Sequence, residues 1–241
     1  MSYGLEVVNN FGSVSISSEH KVLVFSERGT FRIRSEYTDR PGHGEVVFSK
    51  VITTVEAPQV FVRYESGVHN DLGLYSRLQG GPGNWTGFKV VSAVRGNPNL
   101  QNYLMEYVSC KFADQQASNS YGLNIWDYMG RPVFSSSDRV VRYNKFAKAW
   151  ALAIGDYVDV FSSNLVIDAD DFICLSAFDW GPVWFTDFSN NSGLTLMENG
   201  VRTLKIHNQK LGAGGYWYWQ GTNGTNFCIP VCKFPISRYY N

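Results

Sequence analysis

The chain has 241 residues, 44% hydrophobic and 15% aromatic but only 17% charged, and its 21 Lys and Arg balance its 21 Asp and Glu. That composition excludes a disordered polymer, and it supplies no net field to draw the chain to nucleic acid or an anionic membrane. A near-neutral surface rich in Ser, Asn and Gly suits a globular protein that sits inside an assembly.

No charged n-region followed by an apolar stretch opens the sequence, and no run approaches the roughly 18 apolar residues of a spanning helix. Synthesis in the cytosol without a cleaved signal or membrane insertion is the expectation. Alternation begins at once, with Leu5-Val7, Val14-Ile16, Val22-Val24, Phe31-Ile33 and Val60-Val62 as half-buried strands between Gly, Asn, Ser and Pro. Loops are expected at 38–45, 79–86, 189–193 and 212–215. The stretch 100–112 fits either a helical face or a strand with Leu104, Val108, Cys110 and Phe112 on one side, and strand is the better reading.

The opening segment then returns. Tyr121-Gly122-Leu123 repeats Tyr3-Gly4-Leu5 at an offset of 121 − 3 = 118, and over the 23 positions from Tyr3 to Phe25 seven residues are identical. These are Tyr3/Tyr121, Gly4/Gly122, Leu5/Leu123, Gly12/Gly130, Ser17/Ser135, Ser18/Ser136 and Val22/Val140. Unrelated segments of that length share about one or two, so an internal duplication is the reading. Cys110-Lys111-Phe112 and Cys232-Lys233-Phe234 end the two copies alike, and Ala57 to Val62 resembles Ala169 to Cys174 at an offset of 112. Asn9-Asn10-Phe11-Gly12 and Asp127-Tyr128-Met129-Gly130 read as equivalent hairpin turns, with a structural glycine in each. The expected fold is therefore all-β, as two tandem related antiparallel β-sandwich-like domains over 1–117 and 118–241.

No nucleophile elbow, phosphate loop or paired-histidine metal motif occurs, and His20, His43, His69 and His207 are dispersed. No catalytic, cofactor or metal site is expected, and the chain reads as a non-enzyme. Cys228 and Cys232 are four apart and could face one ion, but buried thiols are the preferred account. Asp168, Asp170 and Asp171 invite calcium but lack the alternating pattern of a calcium loop, so a solvated bend is preferred. The aromatic clusters around Trp180 and Trp184, and Tyr216-Trp217-Tyr218-Trp219, allow three readings: doubly covered core, subunit interface or glycan platform. Trp180, Trp184, Trp217 and Trp219 are the candidate contact residues. Tyr3, Gly4, Gly12, Tyr121, Gly122 and Gly130 are the candidate structural positions.

The run from Tyr121-Gly122-Leu123-Asn124-Ile125 through Gly130 to Val133-Phe134-Ser135-Ser136-Ser137-Asp138-Arg139-Val140 resembles a motif of tail proteins from tailed bacteriophages. It covers about 20 residues per copy, with Ser135 or Ser136 where an Asp is common. The resemblance implies a structural virion component of the tail tip, baseplate or fibre-attachment region whose partners are other tail proteins. It also suggests a homo-oligomer, a trimer presenting six similar domains to a six-fold tube. The rival reading is a receptor-binding tail protein that recognises a bacterial surface glycan through its tryptophans.

Overall fold

Two small hairpins, one opening each half of the chain, stand outside the main sheet, and they are alike in detail. In the first, β1 (Glu6–Val8) pairs with β2 (Val14–Ser17), and in the second, β9 (Asn124–Trp126) pairs with β10 (Pro132–Ser135). Glu6 faces Ser17, Val7 faces Ile16 and Val8 faces Val14. Asn124 faces Ser135, Ile125 faces Phe134 and Trp126 faces Pro132, each 118 residues further on, with the register irregularity at the same place. The computed structural model describes residues 6–8, 14–38, 42–66, 72–93, 100–115, 122–153, 158–178, 191–196, 203–209 and 228–241. Tyr3, Gly4, Gly12 and Tyr121 lie outside them.

The fold is all-β and antiparallel, as expected. Among the described residues the only helical element is one short 3-10 turn, Leu175–Phe178, and no helix is long and apolar enough to cross a membrane. The first half contributes β3 (Leu23–Arg34), β4 (Gly42–Ile52), β5 (Gln59–Ser66), β6 (Leu72–Gly81), β7 (Asn84–Ala93) and β8 (Asn102–Phe112). The second contributes β11 (Tyr143–Ala147), β12 (Trp150–Ala153), β13 (Val158–Val166), β14 (Asp171–Cys174), β15 (Asn191–Leu196), β16 (Thr203–Gln209) and β17 (Ile229–Lys233). All thirteen join one sheet in the order β11-β17-β14-β5-β8-β3-β4-β7-β6-β15-β16-β13-β12. The first half thus runs β5-β8-β3-β4-β7-β6 without interruption, and the second half flanks it on both sides in the matching order.

Strand pairing aligns the halves more finely than sequence does. Phe25 faces Cys110 ahead of a bulge that ends with Glu27 facing Ser109. Tyr143 faces Cys232 ahead of a bulge that ends with Lys145 facing Val231, the same step in the other half. One long strand, β3, corresponds to two, β11 and β12, interrupted at Lys148 and Ala149. Those two strands are the first and last of the sheet, so its ends lie within about 11 Å of each other, three Cα steps of a trans chain. The sheet curls back on itself around one core.

That core takes the inward residues of both halves. Ile33, Val60, Val62, Leu74, Phe88, Val90, Tyr103 and Met105 pack with Ile173, Leu175, Ile229 and Val231. Strand β4 alternates buried and exposed residues over most of its length, with Val46 and Phe48 inward and Glu45 and Val47 outward, which is the period-2 signature of a sheet wet on one face. Inside the core a carboxylate is fully engaged: Tyr107 Oη donates to Glu27 Oε1 (2.8 Å) and the Ser49 amide donates to Glu27 Oε2 (2.8 Å). Burial and that carboxylate together raise the Tyr107 hydroxyl well above its ordinary pKa.

A second cluster covers the outer face where like strands meet. Strands β5 and β14 pair antiparallel with Phe61 opposite Cys174 and Val62 opposite Ile173. Because Gln59 and Phe172 hold equivalent places against Cys110 and Cys232, the offset here is 172 − 59 = 113. The 112 expected from sequence is corrected by one residue. At 113, Phe61 and Cys174 are counterparts facing each other, as are Leu23 and Val141, where the Val141 amide donates to the Leu23 carbonyl (2.9 Å). An antiparallel contact between counterparts is a local two-fold relation. Leu23, Val141, Phe61, Cys174, Cys110, Cys232, Phe234 and Tyr239 form the cluster on this axis. Phe61 has no solvent exposure. Phe61→Ala removes the centre of the seam and should cost about 3–5 kcal/mol, seen as a lower midpoint in denaturant unfolding.

Candidate functional site

Local chemistry makes the second hairpin a rigid projection. Asp127 Oδ1 accepts from the amides of Met129 and Arg131 (both 2.9 Å), Oδ2 accepts from Arg131 Nε (2.6 Å), and the Gly130 amide donates to the Asp127 carbonyl (3.0 Å). A side-chain oxygen that takes amides two and four residues on is a local turn device open to Asp and Asn alike, and Asn9 stands at the matching position. Gly130 has φ of 75°, a conformation side chains disfavour. At the hairpin base the Leu123 amide donates to Ser136 Oγ (3.0 Å) and the Ser136 amide to the Leu123 carbonyl (2.8 Å). A Cβ on Gly122 would lie 2.6 Å from Ser136 Oγ, which explains a Gly in that place. The local constraint is thus the Ser136 contact at Gly122 and the positive φ at Gly130.

One side of this hairpin is buried and the other is not. Ile125, Val133 and Ser135 are buried, and the Val22 amide donates to the Val133 carbonyl (3.1 Å), tying the second copy's hairpin to the first half of the chain. Leu123, Trp126, Tyr128 and Met129 are exposed, Tyr128 at 93%. A rigid turn with an aromatic ring and a thioether at its tip is a candidate contact surface, since ordering it on a partner sacrifices little conformational freedom. These four residues were not singled out from sequence. The signal was available in the turn itself, where a tyrosine and a methionine occupy positions usually given to polar residues. The tryptophans expected to make contacts, Trp180, Trp184, Trp217 and Trp219, lie outside the described residues.

The acidic bend carries its own cations. The carboxylates of Asp168, Asp170 and Asp171 approach within 4.8 Å of one another, the one such group among the described residues. Lys145 Nζ lies 2.8 Å from Asp168 and 2.6 Å from Asp171, and Lys233 Nζ lies 2.7 Å from Asp170 and 3.3 Å from Asp168. Lysine ammonium groups thus stand among these carboxylates. Hydrogen bonds from Lys145 and Lys233 hold Asp168 below the usual carboxylate range, and the Lys233 bond does the same for Asp170. Of the two cysteines weighed as a metal pair, Cys228 is exposed while Cys232 is buried. Burial pushes the Cys232 thiol up to about 12 and the Cys174 thiol up to about 11, so both are protonated and unreactive near neutrality. His20 and His43 are exposed, and His20 Nδ1 lies 3.4 Å from Ser17 Oγ.

A larger ionic assembly holds the last residues of the chain. Glu106 receives Arg28 and Arg63, the latter at 2.6 Å, on the outer face of β8. Arg28 also donates to the Tyr239 carbonyl (2.9 Å), and Asn241 exchanges side-chain hydrogen bonds with the Arg28 backbone (2.8 Å each way). Tyr239 Oη donates to the Val140 carbonyl (2.8 Å). Residues 234–241 are thereby strapped across the seam cluster. Set against known protein families, curated proteins and solved structures, the chain matches none.

The lowered Asp168 and Asp170 contribute stability above the ordinary carboxylate pKa of about 4, and it disappears as pH falls through their depressed values. Urea unfolding between pH 3 and pH 7 should show stability declining toward the acid end. Lys145→Met combined with Lys233→Met should flatten that decline.

Proposed function

We propose that the chain is a non-enzymatic structural component of a bacteriophage tail, in the tip, baseplate or fibre-attachment region, working by packing against copies of itself and other tail proteins. In this reading one ancestral β-unit was copied in tandem, and the identical register of the two hairpins is the observation that carries it. The sequence resemblance to tail proteins rests on those same hairpins. The exposed tip at Tyr128 and Met129 supplies a contact element whose shape is fixed before any partner arrives. A neutral, low-charge surface favours close association over solvation as a free monomer.

The internal two-fold shapes the expected oligomer. Three chains would carry six similar units, but like strands within a chain run in opposite directions, so the six fall into two opposed sets of three. A six-fold partner would then be met by three units at a time, and the opposed set would face another neighbour.

Copy counting in the particle and native mass measurement of the purified chain test this reading. A trimer, with a particle copy number divisible by three, is expected. A stable monomer, or a count not divisible by three, contradicts it. Tyr128→Ser with Met129→Ser should leave the unfolding free energy within about 0.5 kcal/mol, since both residues are exposed, while abolishing incorporation into particles.

A further inference from the structure

Strands β3, β4, β7 and β6 lie side by side in the sheet, and their register sets outward residues in rows. Arg34 faces His43 and His43 faces Val91, while Glu45 faces Lys89 and Lys89 faces Arg77. Arg32 precedes Arg34 by two in the same strand and so shares its face. Arg32, Arg34, Arg77 and Lys89 are all exposed, and Glu45 is the carboxylate at these outward positions among the described residues. That carboxylate is already engaged: Lys89 Nζ lies 3.6 Å away, and Gln79 Nε2 donates to its Oε1 (2.8 Å). Arg32 donates to a neutral acceptor, Asn102 Oδ1 (3.2 Å), and neither it nor Arg34 has an ion-pair partner among the described residues. In a chain only 17% charged, this is a concentrated positive face.

The other half of the chain is an internal control on what these cations are for. Phe88-Lys89-Val90 matches Leu204-Lys205-Ile206, and strand pairing carries the match outward. Ser162 faces Lys205 as Glu45 faces Lys89, Ala151 faces Ser162, Ala153 faces Val160, and Thr195 faces Lys205. The counterparts of Arg32, Arg34, Glu45 and Arg77 are therefore Ala151, Ala153, Ser162 and Thr195. Strands with the same pairing form with small neutral residues in those places, so the sheet itself does not call for the charges. Solvation does not call for them either, since Ala151 and Ala153 are exposed as well.

The remaining residues of the face select the kind of partner. Val47, two residues from Glu45 in the same strand, is 73% exposed, an apolar contact that suits a protein and is of no use to a phosphate chain. Glu45 within the row also disfavours a closely spaced polyanion. Side chains two apart on a strand stand about 6.6 Å from each other, and acidic side chains at alternate residues of an extended peptide have that same spacing. Guanidinium forks match planar carboxylates in a bidentate way. We propose that this face docks an extended acidic segment of a partner protein, with Asp or Glu at alternate positions meeting Arg34 and Arg32 and an apolar residue beside them on Val47. The surface is independent of the tryptophan clusters and of the tail reading.

Fluorescence anisotropy of a labelled peptide of alternating Glu and Thr, and of a labelled oligothymidylate of equal charge, titrated with the full chain at about 50 mM salt, tests it. Saturable peptide binding is expected, with the oligothymidylate weaker by about ten-fold or more. Arg32→Ala combined with Arg34→Ala should lower the peptide affinity about ten-fold or more at unchanged melting temperature, since the second half carries alanine at both counterparts. Absence of saturable peptide binding overturns the proposal. So does oligothymidylate binding as tightly as the peptide, or a double variant with unchanged affinity. If the double variant fails to fold, Arg34→Gln decides the matter, because the Arg34 side chain is exposed and has no ion-pair partner among the described residues. A loss of about three-fold is expected there, and unchanged affinity overturns the proposal.

Discussion

The structure depends on the antiparallel contact between like strands at Phe61 and Cys174. Pairing β5 with β14 leaves neither as a free edge, which removes the exposed hydrogen-bonding row that an isolated six-stranded unit would present. A second like-with-like contact, Leu74 of β6 opposite Leu194 of β15, closes the other side. With both contacts made, the inward residues of the two halves meet in one core. The outer face of the first contact is then sealed by a cluster built from counterparts: Leu23 with Val141, Cys110 with Cys232, Phe112 with Phe234.

Symmetry of this kind fixes the framework and leaves the periphery free to diverge. Arg28 and Glu106 have Phe146 and Cys228 at the matching positions, so the ionic clamp on the chain end exists on one side only. That asymmetry lets residues 234–241 cross the seam. The turn residues differ in sequence too, with Tyr128 and Met129 where the first copy has Asn10 and Phe11. Framework and periphery are therefore separated: paired strands carry the shared core, while the turn tip and the terminal strap are where the two halves differ.

Much of this was legible in the sequence wherever the governing chemistry is local. Asp127 and Gly130 specify their turn within four residues, so the hairpin and its counterpart could be read directly. Strand β8 was identifiable despite an ambiguous pattern, because its Cys-Lys-Phe ending matched a proline-containing segment that cannot be helical. The alignment of β5 with β14 came out one residue short for a physical reason. All four residues of β14 are buried, so alternation gives no sign of which face is which, and only pairing partners distinguish the offsets 112 and 113. The joining of the halves into one sheet was not readable either, since edge pairing leaves no periodic mark. The cationic face escaped for a similar reason: Arg32, Arg34, Arg77 and Lys89 form no motif until the sheet brings their strands together.

Native-state hydrogen exchange on the seam amides tests the shared framework most directly. If the halves form one body, the Phe61, Val62, Ile173 and Cys174 amides should exchange only through global unfolding, with the same free energy as the central β3 and β8 amides. Exchange of those four amides at a distinctly lower free energy, through separation of two halves that each stay folded, would contradict it.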